Sequence, residues 1–262
     1  PGRRRHRQGH AAALDEIGLD DVVPARVWSR GRNVKSRLLV GKDGFWLAAV
    51  RPASCRGRGL LRIIMEYDRL MGLLGERRSC RSFSGEPVTD NQIRQIIAAG
   101  QLAPSPLNLQ PWSFIVITGA EVKKQIRQAG EAAKQAVLDQ GGPGWAGGFS
   151  IDFIESAPLI LAVLHDPGKS GLGNYFGQPG GSLQAASACI QNLMLAATSL
   201  NLGSLWFTFF DPAAVAGILG VEAPLQLAGL LFLGRPAGAL PLSKRRPAQV
   251  YQETFGIDFP VV

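Results

Sequence analysis

From Met65 onward, the apolar residues of the chain alternate between helical and strand spacing. Tyr67, Leu70, Met71 and Leu74 share one face of a predicted first helix that ends near Gly75. Further helices are predicted at 89–104, where Thr89 and Gln92 fit a capping box, and at 122–133, 183–200 and 211–220. Buried strands are predicted at 112–118, 158–165, 204–210 and 226–233. This alternation is typical of an α/β or α+β domain.

The first 64 residues differ from the rest of the chain. They keep neither helical nor strand period for long, and they hold 14 Lys and Arg against 5 Asp and Glu. The whole chain has a net charge of +8, so the basic excess lies entirely in this segment. We predict a basic N-terminal extension at 1–64, disordered or upstream of the natural start, and one domain at 65–262. A shortened chain that begins at Met65 is expected to fold and to bind its cofactor as well as the full chain.

Composition excludes several classes of protein. The hydrophobic content of 46% is sufficient for a packed core, and three cysteines without a CxxC pair exclude a disulfide scaffold. A reducing, cytoplasmic location is therefore expected. The longest apolar stretches fall far short of the roughly 18 residues that a membrane span needs, so no membrane association is predicted.

Several motifs do not support a site on their own. The sequence Gly168-Lys169-Ser170 lacks the earlier glycine of a phosphate-binding P-loop, and the glycines after it do not match a Rossmann fingerprint. His165 is the only histidine after Met65, which favours a structural role over a catalytic or metal-binding one. Cys80 and Cys189 are predicted to be packing residues.

Three short islands carry the candidate chemistry. The first is Arg77-Arg78-Ser79-Cys80-Arg81, directly after the first helix. The second is Pro104-Ser105-Pro106-Leu107-Asn108-Leu109-Gln110-Pro111-Trp112, between a helix and a strand, and the third is Lys244-Arg245-Arg246 near the C-terminus. Cationic forks and hydroxyl groups of this kind can bind a phosphorylated ligand without a glycine-rich loop.

Together these islands resemble the hallmarks of the nitroreductase family of FMN-dependent oxidoreductases. That family has an RxSxR/K sequence after its first helix and a PSxxNxQPW loop before a strand, and both are present here. The resemblance extends through residues 191–197, 202–206 and the late basic pair. It implies an α+β domain of three layers, with a mixed central sheet flanked by helices, that works as a homodimer with FMN at the subunit interface.

The resemblance also implies a set of site residues. Those expected at the FMN phosphate and ring are Arg77, Arg78, Ser79 and Arg81, with Lys244 and Arg246 completing the phosphate clamp. Ser105, Asn108 and Gln110 match positions that contact the flavin of the other subunit. Thr208 and Phe209 occupy the segment near flavin N5, where the family often has Gly-Gly or Glu-Gly, and Phe209 is expected to narrow the space over the ring.

The implied activity is hydride transfer from NADH or NADPH through flavin N5 to a second substrate, by a ping-pong mechanism. A flat aromatic acceptor is expected: a nitroaromatic, a quinone or a flavin. Arg81 is the candidate to stabilise negative charge at N1 and O2 of the reduced flavin. Two alternatives stay open, a nucleic-acid-binding protein that uses the basic arm at 1–64 and a flavin-binding protein without turnover.

Overall fold

The structure, a computed structural model, describes residues 57–241 and 244–260 together with five short strands between residues 22 and 47. The chain divides into two units, Pro1–Met71 and Gly72–Val262.

The first unit contains short antiparallel strands and most of the first helix. The strands are β1 (Val22–Val23), β2 (Arg26–Val27), β3 (Val34–Lys35), β4 (Leu38–Val40) and β5 (Trp46–Leu47), paired as β1-β4-β5 and β2-β3. Helix α1 runs over Gly57–Glu76, so it begins eight residues before Met65. The remainder of the predicted extension at 1–64 lies outside the described residues, and its boundary stays a prediction.

The second unit holds the predicted alternation of helices and strands. Its helices after α1 are α2 (Asp90–Gly100), α3 (Ala120–Asp139), α4 (Trp145–Gly148), α5 (Phe153–Ser156), α6 (Gly181–Ser199) and α7 (Pro212–Leu219). Its strands are β6 (Trp112–Ile117), β7 (Leu159–His165), β8 (Gly203–Phe207) and β9 (Gln226–Gly234). Short 3-10 turns cover Pro106–Asn108, Pro167–Lys169 and Gly171–Phe176.

The sheet of this unit has the strand order β6-β7-β9-β8, and all three pairs are antiparallel. Within the described residues, the parallel component of the expected mixed sheet is limited to a single bridge between Ser79 and Ser204. The four strands therefore form an antiparallel sheet. The bridge at Ser79 places the residues that follow α1 parallel to β8.

Two hydrophobic cores lie on opposite faces of the sheet, as a three-layer α+β fold requires. Alternate residues of β7 point to opposite sides: Leu159, Leu161 and Val163 join the core with α2 and α6, whereas Ile160 and Ala162 join the core with α3, α5 and α7. The predicted helix at 183–200 is α6, and it is buried along most of its length, including Ala186, Ile190, Leu193 and Ala197 at 0% exposure. Burial of this helix was predicted because it has little polar surface.

Local signals place three helix ends correctly, the start of α2 and both ends of α7. The side chain of Thr89 accepts a hydrogen bond from the backbone N–H of Gln92, and the Gln92 side chain accepts one from the backbone N–H of Thr89. Asp211 caps α7 in the same way, and Gly220 ends that helix with φ of 64°. These contacts satisfy backbone groups that a helix end otherwise leaves without partners.

A buried lysine links α3 to the residues just before β7, in the core formed with α3, α5 and α7. Lys123 on α3 donates to the carbonyl oxygens of Ala157 at 2.7 Å and Pro158 at 3.0 Å, just before β7. Burial lowers the pKa of this lysine.

In the part of the chain that the structure describes, no helix is both long and apolar enough to cross a membrane.

Candidate functional site

The first island lies as an extended segment between β8 and the residues that follow β9. The backbone N–H of Cys80 donates to the carbonyl of Ser204 at 2.9 Å, and Ser82 accepts from the N–H of Ala237 at 3.0 Å. Cys80 is fully buried, whereas Ser79 and Arg81 on either side of it are exposed. The alternation of an extended chain therefore directs Ser79 and Arg81 to the same side.

Ser79 and Arg81 line a cleft of about 490 Å³, together with Ser82 and residues 237–241. Three small residues, Ala237, Gly238 and Ala239, form part of its lining. A hydroxyl and a guanidinium at one side of such a cleft are suitable donors for a phosphate or for the polar edge of a ring.

The third island acts on the first electrostatically, through the positive charge of Arg245. Burial, followed by the positive charges of Arg245 and Arg78, lowers the pKa of Arg77. Both charges that act on Arg77 are therefore positive. Arg245 lies more than 160 residues after Arg77 in the sequence. A fold that brings like charges together gains stability when an anion binds between them. This donor set fits the phosphate of FMN.

The sequence predicts Lys244 and Arg246 for the clamp, and the structure adds Arg245 as a candidate. All three are exposed, and Arg245 is the one whose charge acts on Arg77. The run of three consecutive cations marks the region but does not select one of them.

Arg78 has a different task from its neighbours. Its Nη1 donates to the carbonyl oxygens of Gly75 and of Arg77, the latter at 2.9 Å, at the C-terminal end of α1. Unpaired carbonyls give this end of a helix a partial negative charge, which a guanidinium stabilises. The Nε of Arg78 is buried without a hydrogen-bond partner.

The second island is a turn in which the three predicted site residues contact one another. Ser105 Oγ accepts from the N–H of Gln110 at 3.0 Å, and Gln110 Nε2 donates to Asn108 Oδ1 at 3.2 Å. Both Asn108 and Gln110 are exposed. Within the described part of one chain, no hydrogen bond or ion pair joins this loop to Arg77–Arg81.

The loop is conformationally strained. Leu107, Asn108 and Gln110 have φ of 50°, 55° and 45°, in the left-handed region that residues other than glycine rarely adopt. The cost is about 1–2 kcal/mol for each such residue. Strain of this kind persists only where the surrounding structure enforces it, and it concentrates at functional sites.

The segment Thr208-Phe209 follows β8, which ends at Phe207, three residues before the predicted end at residue 210. Gly229 pairs with Val163 and Leu227 with Leu164, so β9 has a bulge at Ala228 just beyond the Phe207–Leu230 pair. The bulge lies in the pairing of β9 with β7, whereas the pairing of β9 with β8 ends at the Phe207–Leu230 pair. Thr208 is exposed, and Phe209 is half-buried in an aromatic cluster.

That cluster extends from the core to the surface. Phe207 contacts Phe232 in the core at a ring separation of 6.0 Å, and Phe209 contacts Trp145 on α4 at 6.2 Å. Trp145 is 65% exposed. Trp145 lies in a glycine-rich segment, 141–148. Its largely exposed indole ring lies beside Phe209, in the residues that follow β8.

Comparison with known proteins identifies the family. The sequence model described as the nitroreductase family matches residues 74–235. A protein named NADH dehydrogenase from Thermus thermophilus is 27% identical over 202 residues, which cover 66% of this chain and 90% of that protein. A 5,6-dimethylbenzimidazole synthase from Rhodobacter capsulatus is 31% identical over 176 residues, covering 64% of this chain and 84% of that enzyme.

Solved structures agree in fold. The crystal structure of an oxidized iodotyrosine deiodinase, bound to FMN and 3-iodo-L-tyrosine, superposes with a TM-score of 0.62 at 24% identity and covers 71% of this chain and 100% of that one. A BluB-like flavoprotein from Clostridium difficile 630 has a TM-score of 0.57 at 23% identity, over 68% of this chain and 94% of that one. The chain therefore belongs to the nitroreductase family and is an oxidoreductase of that family.

Proposed function

We propose that this oxidoreductase binds FMN between two copies of the chain and reduces a flat aromatic acceptor with electrons from NADH or NADPH. Two observations carry the proposal: Ser79 and Arg81 line one cleft, and the positive charge of Arg245 acts on Arg77, two residues before Ser79. Bound FMN supplies the hydride chemistry, alternately accepting from a nicotinamide and donating to the acceptor. The chain's own residues bind and orient the cofactor and stabilise its charge.

The phosphate end of the site is assigned to Arg77, Arg245 and Ser79. Guanidinium groups bind phosphate oxygens with paired hydrogen bonds, and a hydroxyl adds a neutral donor. Lys244 and Arg246 are exposed on either side of Arg245 and add positive charge near the clamp. Arg78, whose Nη1 is bonded to carbonyls of α1 and the adjoining residue, holds the start of the segment in place.

The ring end is assigned to Arg81 and to the segment Thr208-Phe209. Ser79 bridges to Ser204, and four residues of extended strand from Ser204 to Thr208 span about 13 Å. Ser79 would hold the phosphate end of FMN, and Thr208-Phe209 would adjoin its ring end. A fixed cation such as Arg81 stabilises negative charge that forms at the N1 and O2 edge on reduction.

A second copy of the chain is proposed to complete the site with Ser105, Asn108 and Gln110. Large apolar side chains are exposed around this loop: Leu107 at 69%, Leu172 at 62%, Tyr175 at 83% and Phe176 at 81%. The 3-10 turns that carry them contact each other and the start of α6. A contiguous exposed apolar surface of this kind is typical of a protein interface.

The acceptor site is proposed at the exposed face of Trp145 and Phe209. Replacing Trp145 by alanine is expected to raise KM for a quinone roughly 2- to 12-fold, since aromatic contacts contribute about 0.5–1.5 kcal/mol. Ferricyanide has no ring to stack, so its reduction rate should stay unchanged, and Trp145→Phe should keep most of the quinone affinity. A loss of equal size with both acceptors would argue against ring recognition by Trp145.

Two alternatives make different predictions. Nucleic-acid binding would depend on the basic residues of 1–64, which lie mostly outside the described residues, and would weaken steeply with salt. A flavin-binding protein without turnover would take up FMN and remain oxidised in the presence of a nicotinamide.

A cytoplasmic location is part of our proposal, in keeping with the free, buried Cys80 and Cys189.

Uptake of FMN by the purified full-length chain tests the binding part of the proposal. We expect quenching of flavin fluorescence to saturate at one FMN per chain, with dimers in solution, because each site needs residues from both copies. Absence of saturable uptake would reject the FMN site. Uptake at full stoichiometry by a strict monomer would reject the shared site alone.

A further inference from the structure

A buried chain of three polar side chains joins the end of β7 to the start of α6. His165 Nδ1 lies 2.9 Å from Ser182 Oγ, and Ser182 Oγ lies 3.0 Å from Ser170 Oγ. Ser170 Oγ lies 2.8 Å from the carbonyl of Pro167 and 2.7 Å from that of Pro179. His165, Ser170 and Ser182 are 6%, 2% and 1% exposed, so this network belongs to the interior.

The protons of this network can be placed by counting donors. Ser170 Oγ has one proton and donates it to the two proline carbonyls. Ser182 Oγ therefore donates to Ser170 Oγ, and His165 Nδ1–H donates to Ser182 Oγ. Burial lowers the pKa of His165, although the charge of Asp166 acts in the opposite direction. The hydrogen bond to Ser182 places a proton on His165 Nδ1. The side-chain hydrogen bonds therefore run in one direction, from His165 through Ser182 and Ser170 to carbonyls of the loop of residues 166–180.

Each member of the network adjoins a residue that contacts the strained loop, residues 105–111. Next to Ser170 and Ser182 lie Gly171 and Gly181, and a Cβ on these glycines would come within 2.6 and 3.2 Å of Pro106 side-chain atoms. Next to His165 lies Asp166, whose N–H donates to the carbonyl of Pro111 at 3.0 Å. The loop is thus clamped at both of its ends by the backbone that the network fixes.

We propose that His165 is a positioning residue for the flavin site: through Ser182 and Ser170 it holds the loop of residues 105–111 in the left-handed conformation that presents Asn108 and Gln110. This inference rests on the proposed FMN site. Three residues of the loop have positive φ, so an unclamped loop relaxes to ordinary backbone angles and turns these side chains away. The histidine acts on the cofactor only through the loop.

The test measures FMN affinity of the full-length apoprotein by fluorescence quenching, with its thermal midpoint recorded in parallel. Ser182→Ala and His165→Leu are each expected to raise Kd for FMN about tenfold or more, because the loop must be reordered on binding. His165→Asn is expected to restore affinity to within about threefold, since its Nδ2–H takes the place of the Nδ1–H donor. Ser187→Ala is the matched control, a serine of α6 that donates to Leu183 within its own helix.

A double-mutant cycle separates positioning from general destabilisation. In an Asn108→Ala background the loop has already lost its contact, so adding Ser182→Ala is expected to weaken FMN binding less than about twofold further. Equal effects of Ser182→Ala in both backgrounds would overturn the inference, as would variants that bind FMN like the wild type. A wild-type chain that takes up no FMN would overturn the proposed function and this inference with it.

Discussion

An Arg77→Ala variant is expected to lose most of its bound FMN during purification. The positive charge of Arg245 acts on Arg77, and we propose that both guanidinium groups donate charge-assisted hydrogen bonds to the phosphate. Each such bond contributes about 1.5–3 kcal/mol. Kd for FMN, measured by fluorescence titration of the apoprotein, should rise roughly 10- to 150-fold.

The control for this variant is Arg94→Ala, which removes an exposed arginine of α2. It changes the net charge by the same amount, so its Kd should equal that of the wild type at moderate ionic strength. Arg245→Ala should behave like Arg77→Ala. If instead Arg246→Ala weakened FMN binding and Arg245→Ala did not, the assignment of the clamp to Arg245 would be wrong.

Gly203→Ala is expected to lower both stability and FMN content. Gly203 begins β8, and a Cβ there would lie 2.7 Å from Cys80 Cβ, 2.8 Å from Cys80 Sγ and 3.1 Å from Pro236 Cγ. The added methyl group would separate β8 from the segment that carries Ser79 and Arg81. Overpacking of this kind costs about 1–3 kcal/mol, measured as the free energy of unfolding in urea.

Gly217→Ala is the matched control for this substitution. Gly217 lies inside α7 with no atom within 4 Å of an added Cβ, so alanine should raise the free energy of unfolding by about 0.5–1 kcal/mol. FMN content should not change. A Gly203→Ala protein with wild-type stability and full FMN content would show that the close approach of β8 to Cys80 does not hold the site together.

Local signals in the sequence were sufficient to predict most elements of the second unit. The capping box at Thr89 and Gln92, and the Asp211, Pro212 and Gly220 signals around α7, depend on residues a few positions apart. Such contacts form between near neighbours in the chain, so the sequence contains them directly. The family hallmarks at Arg77–Arg81 and Pro104–Trp112 are local in the same sense.

Details that depend on tertiary packing could not be derived from local signals. The antiparallel order of β6, β7, β9 and β8 joins strands far apart in the chain, and β8 ends at Phe207, three residues before its predicted end. Three adjacent cations are equivalent in sequence, so the sequence alone did not single out Arg245, whose charge acts on Arg77. His165 was predicted to have a structural role, but its hydrogen bond to Ser182 joins residues that no motif connects.

Anaerobic reduction of the FMN-loaded full-length chain tests the central claim most directly. The absorbance of the bound flavin is recorded before and after addition of NADH or NADPH, and again after addition of a quinone. We predict that one nicotinamide bleaches the visible flavin band and that the quinone restores it. A flavin that stays oxidised with both nicotinamides, while dithionite bleaches it, would contradict the proposed oxidoreductase and favour a flavin-binding protein without turnover.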